Sequence, residues 1–193
     1  TKHSNYLTGF TLVFFAGLLW SFGPVVVRNM DQAHHYVFQY LFCRGLSVAT
    51  ILICFLIYRE GFEFYKNFLR VGLPGLIGGC ALATAMTGFI FSITLTSAAV
   101  TLFMLAAIPF IAAIIAYFAL REKLRTMTLI SMIIAFVGVL IMIYNDSLSG
   151  SILGALIGFL SATGFAVYTV TIRWRPETPK FTTVVLAGVF CAI

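Results

Sequence analysis

The chain has 193 residues, 61% of them hydrophobic and 9% charged, with a mean hydropathy of +1.05, whereas soluble domains carry roughly 25% charged residues. That leaves too little polar surface to cover a water-soluble core, so the composition excludes a soluble globular domain and reads as an integral membrane protein. The formal net charge of +6 comes without a long basic run on a polar face, so nucleic acid is not an expected partner and the positive charges belong to loops.

Charged residues cut the chain into apolar segments. Segment 1 runs from about Gly9 to Val27; it is long enough to span and lacks the small-residue cleavage site of a signal peptide. Segment 2, Tyr36 to Tyr58, is interrupted only by Arg44. Val71 to Leu120 holds no Asp, Glu, Lys, Arg or His over fifty residues. As one helix it would reach about 75 Å, against a hydrocarbon core of about 30 Å. It must cross twice. The hydroxyl cluster Thr94 to Ser97 marks the turn, giving segment 3 as Val71–Ile93 and segment 4 as Ala98–Leu120. Segment 5 is Thr126 to Tyr144 and segment 6 about Gly150 to Ile172. A seventh begins at Phe181, too short to cross before Ile193, so the chain is read as a fragment.

With the N-terminus in the cytoplasm, the inner ends and loops hold Lys2, Arg59, Lys66, Arg70, Arg121, Lys123, Arg125, Arg173, Arg175 and Lys180, ten of the twelve Lys and Arg residues. The outer loops hold only Arg28. This is the asymmetry of a multi-pass protein of the cell membrane, and it alternates correctly at every crossing.

Small residues predict helix contacts. In segment 6, Gly150, Gly154, Gly158, Ala162 and Ala166 recur at every fourth position, and segment 3 repeats the pattern with Gly75, Gly79, Ala83 and Thr87. Such ridges let backbones approach where lipid gives no hydrophobic reason to associate. Gly17 and Gly23 of segment 1 match Gly158 and Gly164 of segment 6 at a constant offset, and five crossings separate the two copies. They therefore enter the membrane from opposite sides, as inverted transporter repeats do. Cys43, Cys54, Cys80 and Cys191 lack metal-site or disulfide spacing and are expected to be buried free thiols.

Gly17-Leu18-Leu19-Trp20-Ser21-Phe22-Gly23 leading to Arg28, Phe42-Cys43-Arg44-Gly45, Thr96-Ser97-Ala98-Ala99 through Pro109 to Leu120-Arg121-Glu122-Lys123-Leu124, and Gly164-Phe165-Ala166-Val167-Tyr168 with Arg173 together carry a resemblance to the EamA-type branch of the drug/metabolite transporter superfamily. It implies an all-α polytopic bundle of ten helices in two inverted five-helix repeats. Residues 4–145 would be the first repeat and 150–193 the truncated start of the second, giving six full transmembrane helices plus the start of a seventh. It also implies alternating-access export or exchange of a small organic metabolite through a cavity between the repeats.

Arg44 carries the chemical expectation. A charge inside a membrane helix costs about 2.5–3.5 kcal/mol on insertion scales and needs a partner or a wet cavity. No intramembrane carboxylate is available in the sequence. Two readings follow: Arg44 braces segment 1 through the Trp20 carbonyl that Pro24 leaves without its donor, or it presents positive charge to an anionic or zwitterionic, amino acid-like substrate. Trp20, Ser21, Gln39, Tyr40 and Tyr168 are the other candidate cavity residues, each also readable as packing. Pro109 should bend segment 4, as a fixed bend or a gate. Arg28 is expected to snorkel or to sit at the cavity mouth, Glu122 to join a charge network, and His34 and His35 near Asp31 to be solvated.

All six acids fall in loops or at helix ends, so facilitated diffusion or exchange against a counter-solute is expected, with proton coupling and a homodimer left open. No cofactor or metal is expected. The alternative reading, a membrane-embedded enzyme or structural scaffold, would need for catalysis a nucleophile, metal set or phosphate loop that the sequence lacks.

Overall fold

The computed structural model describes residues 2–29, 35–121, 126–144 and 151–193. Among them every regular element is helical: α1 (Lys2–Arg28), α2 (Val37–Glu60), a 3₁₀ turn (Gly61–Phe64), α3 (Tyr65–Arg70), α4 (Gly72–Leu95), α5 (Ala98–Ala106), α6 (Ile108–Leu120), α7 (Thr126–Tyr144), α8 (Ile152–Trp174) and α9 (Lys180–Ala192). Among the described residues, five spans are long and apolar enough to cross a membrane: Thr8–Val27, α2, α4, the α5–α6 pair and α8. α7 is helical throughout the range expected of segment 5 and is apolar over Thr126–Gly138. Large apolar side chains such as Phe10, Leu19, Phe118, Ile134 and Leu156 face outward, as suits helices that meet lipid.

The anticipated turn lies at Thr96-Ser97. Ser97 is extended and its hydroxyl accepts the Val100 N–H at 3.1 Å, capping α5. Segment 4 is broken rather than merely bent. Pro109 cannot donate to the Leu105 carbonyl, so the helix stops at Ala106 and restarts at Ile108, with the Ala107 N–H turned to the Met104 carbonyl at 3.1 Å. At the end of α2, Gly61 takes φ +65° and its N–H reaches the Ile57 carbonyl. The 3₁₀ turn and α3 then occupy a loop the sequence left featureless.

α4 is the centre of the bundle: 61% of its apolar window is buried, against 6% for α1. One face, Gly75, Gly79, Ala83 and Thr87, meets α9: a Cβ on Gly79 would lie 3.2 Å from Leu186 Cβ, and Thr87 Oγ1 is 3.6 Å from Cys191 Sγ. The other face meets α8. A Cβ on Gly164 would come within 2.6 Å of the Ala81 carbonyl oxygen and one on Gly158 within 2.7 Å of Ser92 Oγ, while Ala162 and Ala166 are fully buried. Both expected ridges therefore pack helices. Ser161 Oγ donates to the Ala85 carbonyl across this contact at 2.6 Å, and Ser92 and Thr101 hydroxyls pair at 3.0 Å between α4 and α5.

α9 also crosses α2 where Gly45 and Gly188 face one another; a Cβ on Gly45 would sit 2.5 Å from the Gly188 carbonyl oxygen. α7 attaches through Phe136, whose ring lies 5.3 Å from Phe103 and 5.6 Å from Phe110. Cys191 is buried, but Cys43, Cys54 and Cys80 are exposed. This corrects the expectation of buried thiols: a small apolar thiol needs no burial where the surroundings are hydrocarbon.

Ends assigned to one side of the membrane are found together. Arg70 to Pro74 and Trp174 to Thr178 line one cavity. At the opposite end the Ser151 N–H reaches the Leu95 carbonyl at 3.4 Å. Gly17 and Gly23, by contrast, have no atom within 4 Å of an added Cβ, so the two glycine pairs matched in sequence sit in different surroundings.

Overpacking a tight backbone contact costs about 1–3 kcal/mol. Gly164→Leu is therefore expected to lower the melting temperature in detergent, while Gly17→Leu leaves it unchanged. Equal melting temperatures for the two variants would mean that α8 does not press on α4 as described.

Candidate functional site

The residues singled out in the sequence are not brought together at one place. Trp20 and Ser21 lie on α1 one turn before Pro24, and Ser21 Oγ donates back to the Gly17 carbonyl at 2.9 Å. Both border an open cavity of about 580 Å³ between α1, α4, α5 and α6, whose lining includes Gly17, Pro24, Phe89 and Leu105. Its wall is mostly apolar. Pro24, which removes one N–H donor from the continuous helix α1, lies on one side and Ala106 and Ile108, flanking the Ala107 break, on the other. Trp20 also reaches α8, with its ring 5.7 Å from that of Phe165 in an edge-on arrangement.

Tyr40 and Tyr168 do not line that cavity. They pack, with Phe165 and Leu105, against the central apolar core built from α1, α2, α4 and α9. The Tyr168 ring stands over Gly78, its Cδ2 being 3.7 Å from where a Cβ would lie. Gln39 is exposed on α2.

Arg44 is half-buried on α2, flanked by the buried Leu41 and Gly45. Tyr40, Arg44 and Val48 share one helix face at four-residue spacing and are all partly covered. Among the described residues no hydrogen bond or ion pair holds the guanidinium. The brace to the Trp20 carbonyl is therefore not formed, which corrects one of the two readings of this residue. The reason is the placement of α1, which meets α4 and reaches α8 through Trp20 instead of lying along the Arg44 face of α2.

Phe89 and Leu105 were not foreseen. They sit in uniformly apolar helices, where periodicity cannot separate a cavity wall from a lipid-facing surface. Phe165 lies inside a motif noted in the sequence, but its partnership with Trp20 joins residues far apart in the chain. Among the described residues no three His, Cys, Asp or Glu side chains are grouped to hold a metal ion. Asp31, His34, Glu122 and Gly150 lie outside the described residues, as does the Arg28 side chain; His35 is exposed.

A sequence model of the EamA-like transporter family matches residues 7–144. No curated protein and no solved structure matches the chain.

Edge-on aromatic pairs contribute about 0.5–1.5 kcal/mol beyond area burial. A double-mutant cycle of Trp20→Leu and Phe165→Leu, followed by reversible denaturation in detergent, is expected to return a coupling of that size. Simple additivity would remove the α1–α8 contact.

Proposed function

The chain belongs to the EamA-like transporter family, and from that premise we propose that it is a secondary carrier moving a small anionic or zwitterionic organic metabolite, amino acid-like in its charges, by alternating access. The observation that carries the substrate class is Arg44. A guanidinium half-buried in an apolar helix, with no partner among the described residues, is costly unless a ligand or water supplies one. A substrate carboxylate or phosphate would accept a charge-assisted, bidentate pair of hydrogen bonds from it.

The mobile element in this reading is α1. It is the least buried of the described spans, its glycines have open space around them, and the cavity beside Trp20 and Ser21 is bordered by Pro24 and by the Ala107 break. Tilting α1 against α4 at Pro24 would open or close that cavity, and Tyr40 and Tyr168 would join the substrate path from the core side. The basic end of the bundle is placed in the cytoplasm of the cell, with the N-terminus on that side, by the positive-inside rule. Movement is uncoupled or by exchange, since Glu60 is the last residue of α2, Glu63 lies in the 3₁₀ turn that follows it and Glu177 in the turn after α8, none of them in the middle of an apolar span.

Losing a hydrogen-bonded charge contact costs about 1.5–3 kcal/mol, or about ten- to a hundredfold in transport at low substrate. Arg44→Gln is expected to reduce exchange of acidic and zwitterionic amino acids in proteoliposomes by that factor without altering thermal stability. Wild-type exchange would overturn the substrate class, and chemical conversion of solute without net movement would favour an enzyme. An imposed pH gradient is expected to drive no accumulation; strong accumulation would establish proton coupling.

A further inference from the structure

The cavity at the basic end belongs to neither the α1 site nor the packing of the core. It measures about 570 Å³ and is lined by the last turn of α3, the first turn of α4 and the turn that follows α8. Arg70 and Arg175 enter it from different elements, and both are exposed with no side-chain hydrogen bond or ion pair among the described residues. Glu177 enters from the same turn as Arg175, which is closed by the Thr178 N–H on the Arg175 carbonyl at 3.0 Å. Glu177 forms no ion pair with either arginine among the described residues. Three formal charges thus share one cavity without neutralising one another.

Depth narrows the occupant. The cavity lies where α4 begins at Gly72 and α8 ends at Trp174, which is the boundary between the apolar spans and water. Trp174 is half exposed there, as expected of an indole at headgroup level. Pro74 supplies an apolar floor, and α4 opens with no side-chain cap, so its first amides add partial positive charge beside the arginines.

We propose that this cavity holds the phosphoethanolamine headgroup of a bilayer phospholipid, with Arg70 and Arg175 on the phosphate, Glu177 on the primary ammonium and Trp174 against the glycerol region. The charge count selects this group. Two guanidinium groups match a phosphodiester, and one carboxylate is left to accept hydrogen bonds from an ammonium. A phosphatidylglycerol headgroup would leave Glu177 facing hydroxyls only. A choline headgroup carries the charge but has no N–H to donate. Free phosphoethanolamine offers the same two groups, so the source must be separated by experiment.

The test uses the full chain in detergent, with native mass spectrometry and titrated lipids of identical acyl chains. Phosphatidylethanolamine is expected to bind about tenfold more tightly than phosphatidylcholine or phosphatidylglycerol, the order of effect of one hydrogen bond to a charged group. Glu177→Gln should abolish the preference over phosphatidylcholine, and Arg70→Gln with Arg175→Gln should remove tight binding of all three lipids. Because these side chains are exposed, melting temperatures should stay at wild type, and Glu177→Gln reads the site with both arginines intact. Equal binding of phosphatidylethanolamine and phosphatidylcholine by the wild type, or a preference that survives Glu177→Gln, would overturn the proposal. Displacement of the lipid by soluble phosphoethanolamine at comparable concentration would overturn the lipid as the source. Failure here would leave the Arg44 reading untouched, since it is measured by solute exchange.

Discussion

The bundle depends on close approach of backbones along α4. Hydrocarbon is as apolar as the side chains it would release, so helices in lipid gain little from hiding leucine or isoleucine from their surroundings. What remains is van der Waals contact and hydrogen bonding, both of which need short interaxial distances. α4 meets that need on two faces at once, with Gly75, Gly79 and Ala83 toward α9, Ala85 and Gly88 toward α8, and Gly78 between the two. The Gly45–Gly188 crossing ties α2 to the same centre.

This arrangement decides where a cavity can exist. Tight crossings leave no room, and the space of about 580 Å³ beside Trp20 lies where α1 meets α4 without a glycine contact. The break at Ala107 borders the same space. Proline thus acts twice around one cavity, at Pro24 and at Pro109, each time by removing a donor from a helix that is otherwise unbroken in its apolar character.

How much of this could be read beforehand followed from the range of the interactions involved. Span ends were legible because the cost of charge in hydrocarbon is local: the end of α6 at Leu120 and the turn at Ser97 fall where Arg121 and the hydroxyl cluster indicated. The ridges of α4 and α8 were legible because a four-residue period lies within one helix. Gly45 opposite Gly188 was not, since neither helix announces the other. Nor was the isolation of the Arg44 guanidinium from the Trp20 carbonyl, because sequence position places both at similar depth but says nothing of which helices lie side by side. The outward-facing Cys43, Cys54 and Cys80 belong to the same class: a residue tolerated equally by lipid and by a core carries no orientation signal. Of the site candidates, Trp20 and Ser21 share a cavity while Tyr40 and Tyr168 share the core, a division that depends on tertiary neighbours alone.

A smooth ridge brings helices close but leaves their register open, because a shift of one turn, about 5.4 Å, exchanges one small residue for another. Register at the α4–α8 contact is held by polar pins: Ser161 Oγ on the Ala85 carbonyl, and the Ser92–Thr101 pair that ties α5 to the same stretch of α4. Sliding α8 by a turn would strand a buried hydroxyl in an apolar setting, and burying a polar group unpaired costs about 1–3 kcal/mol. On α1, by contrast, the Thr11 and Ser21 hydroxyls are turned back to carbonyls of their own helix, at Thr8 and Gly17. Their hydrogen bonds therefore survive any rigid movement of α1 over its neighbours. The helix that carries Trp20 can shift without leaving these hydroxyls unsatisfied, whereas sliding α8 separates Ser161 from the Ala85 carbonyl.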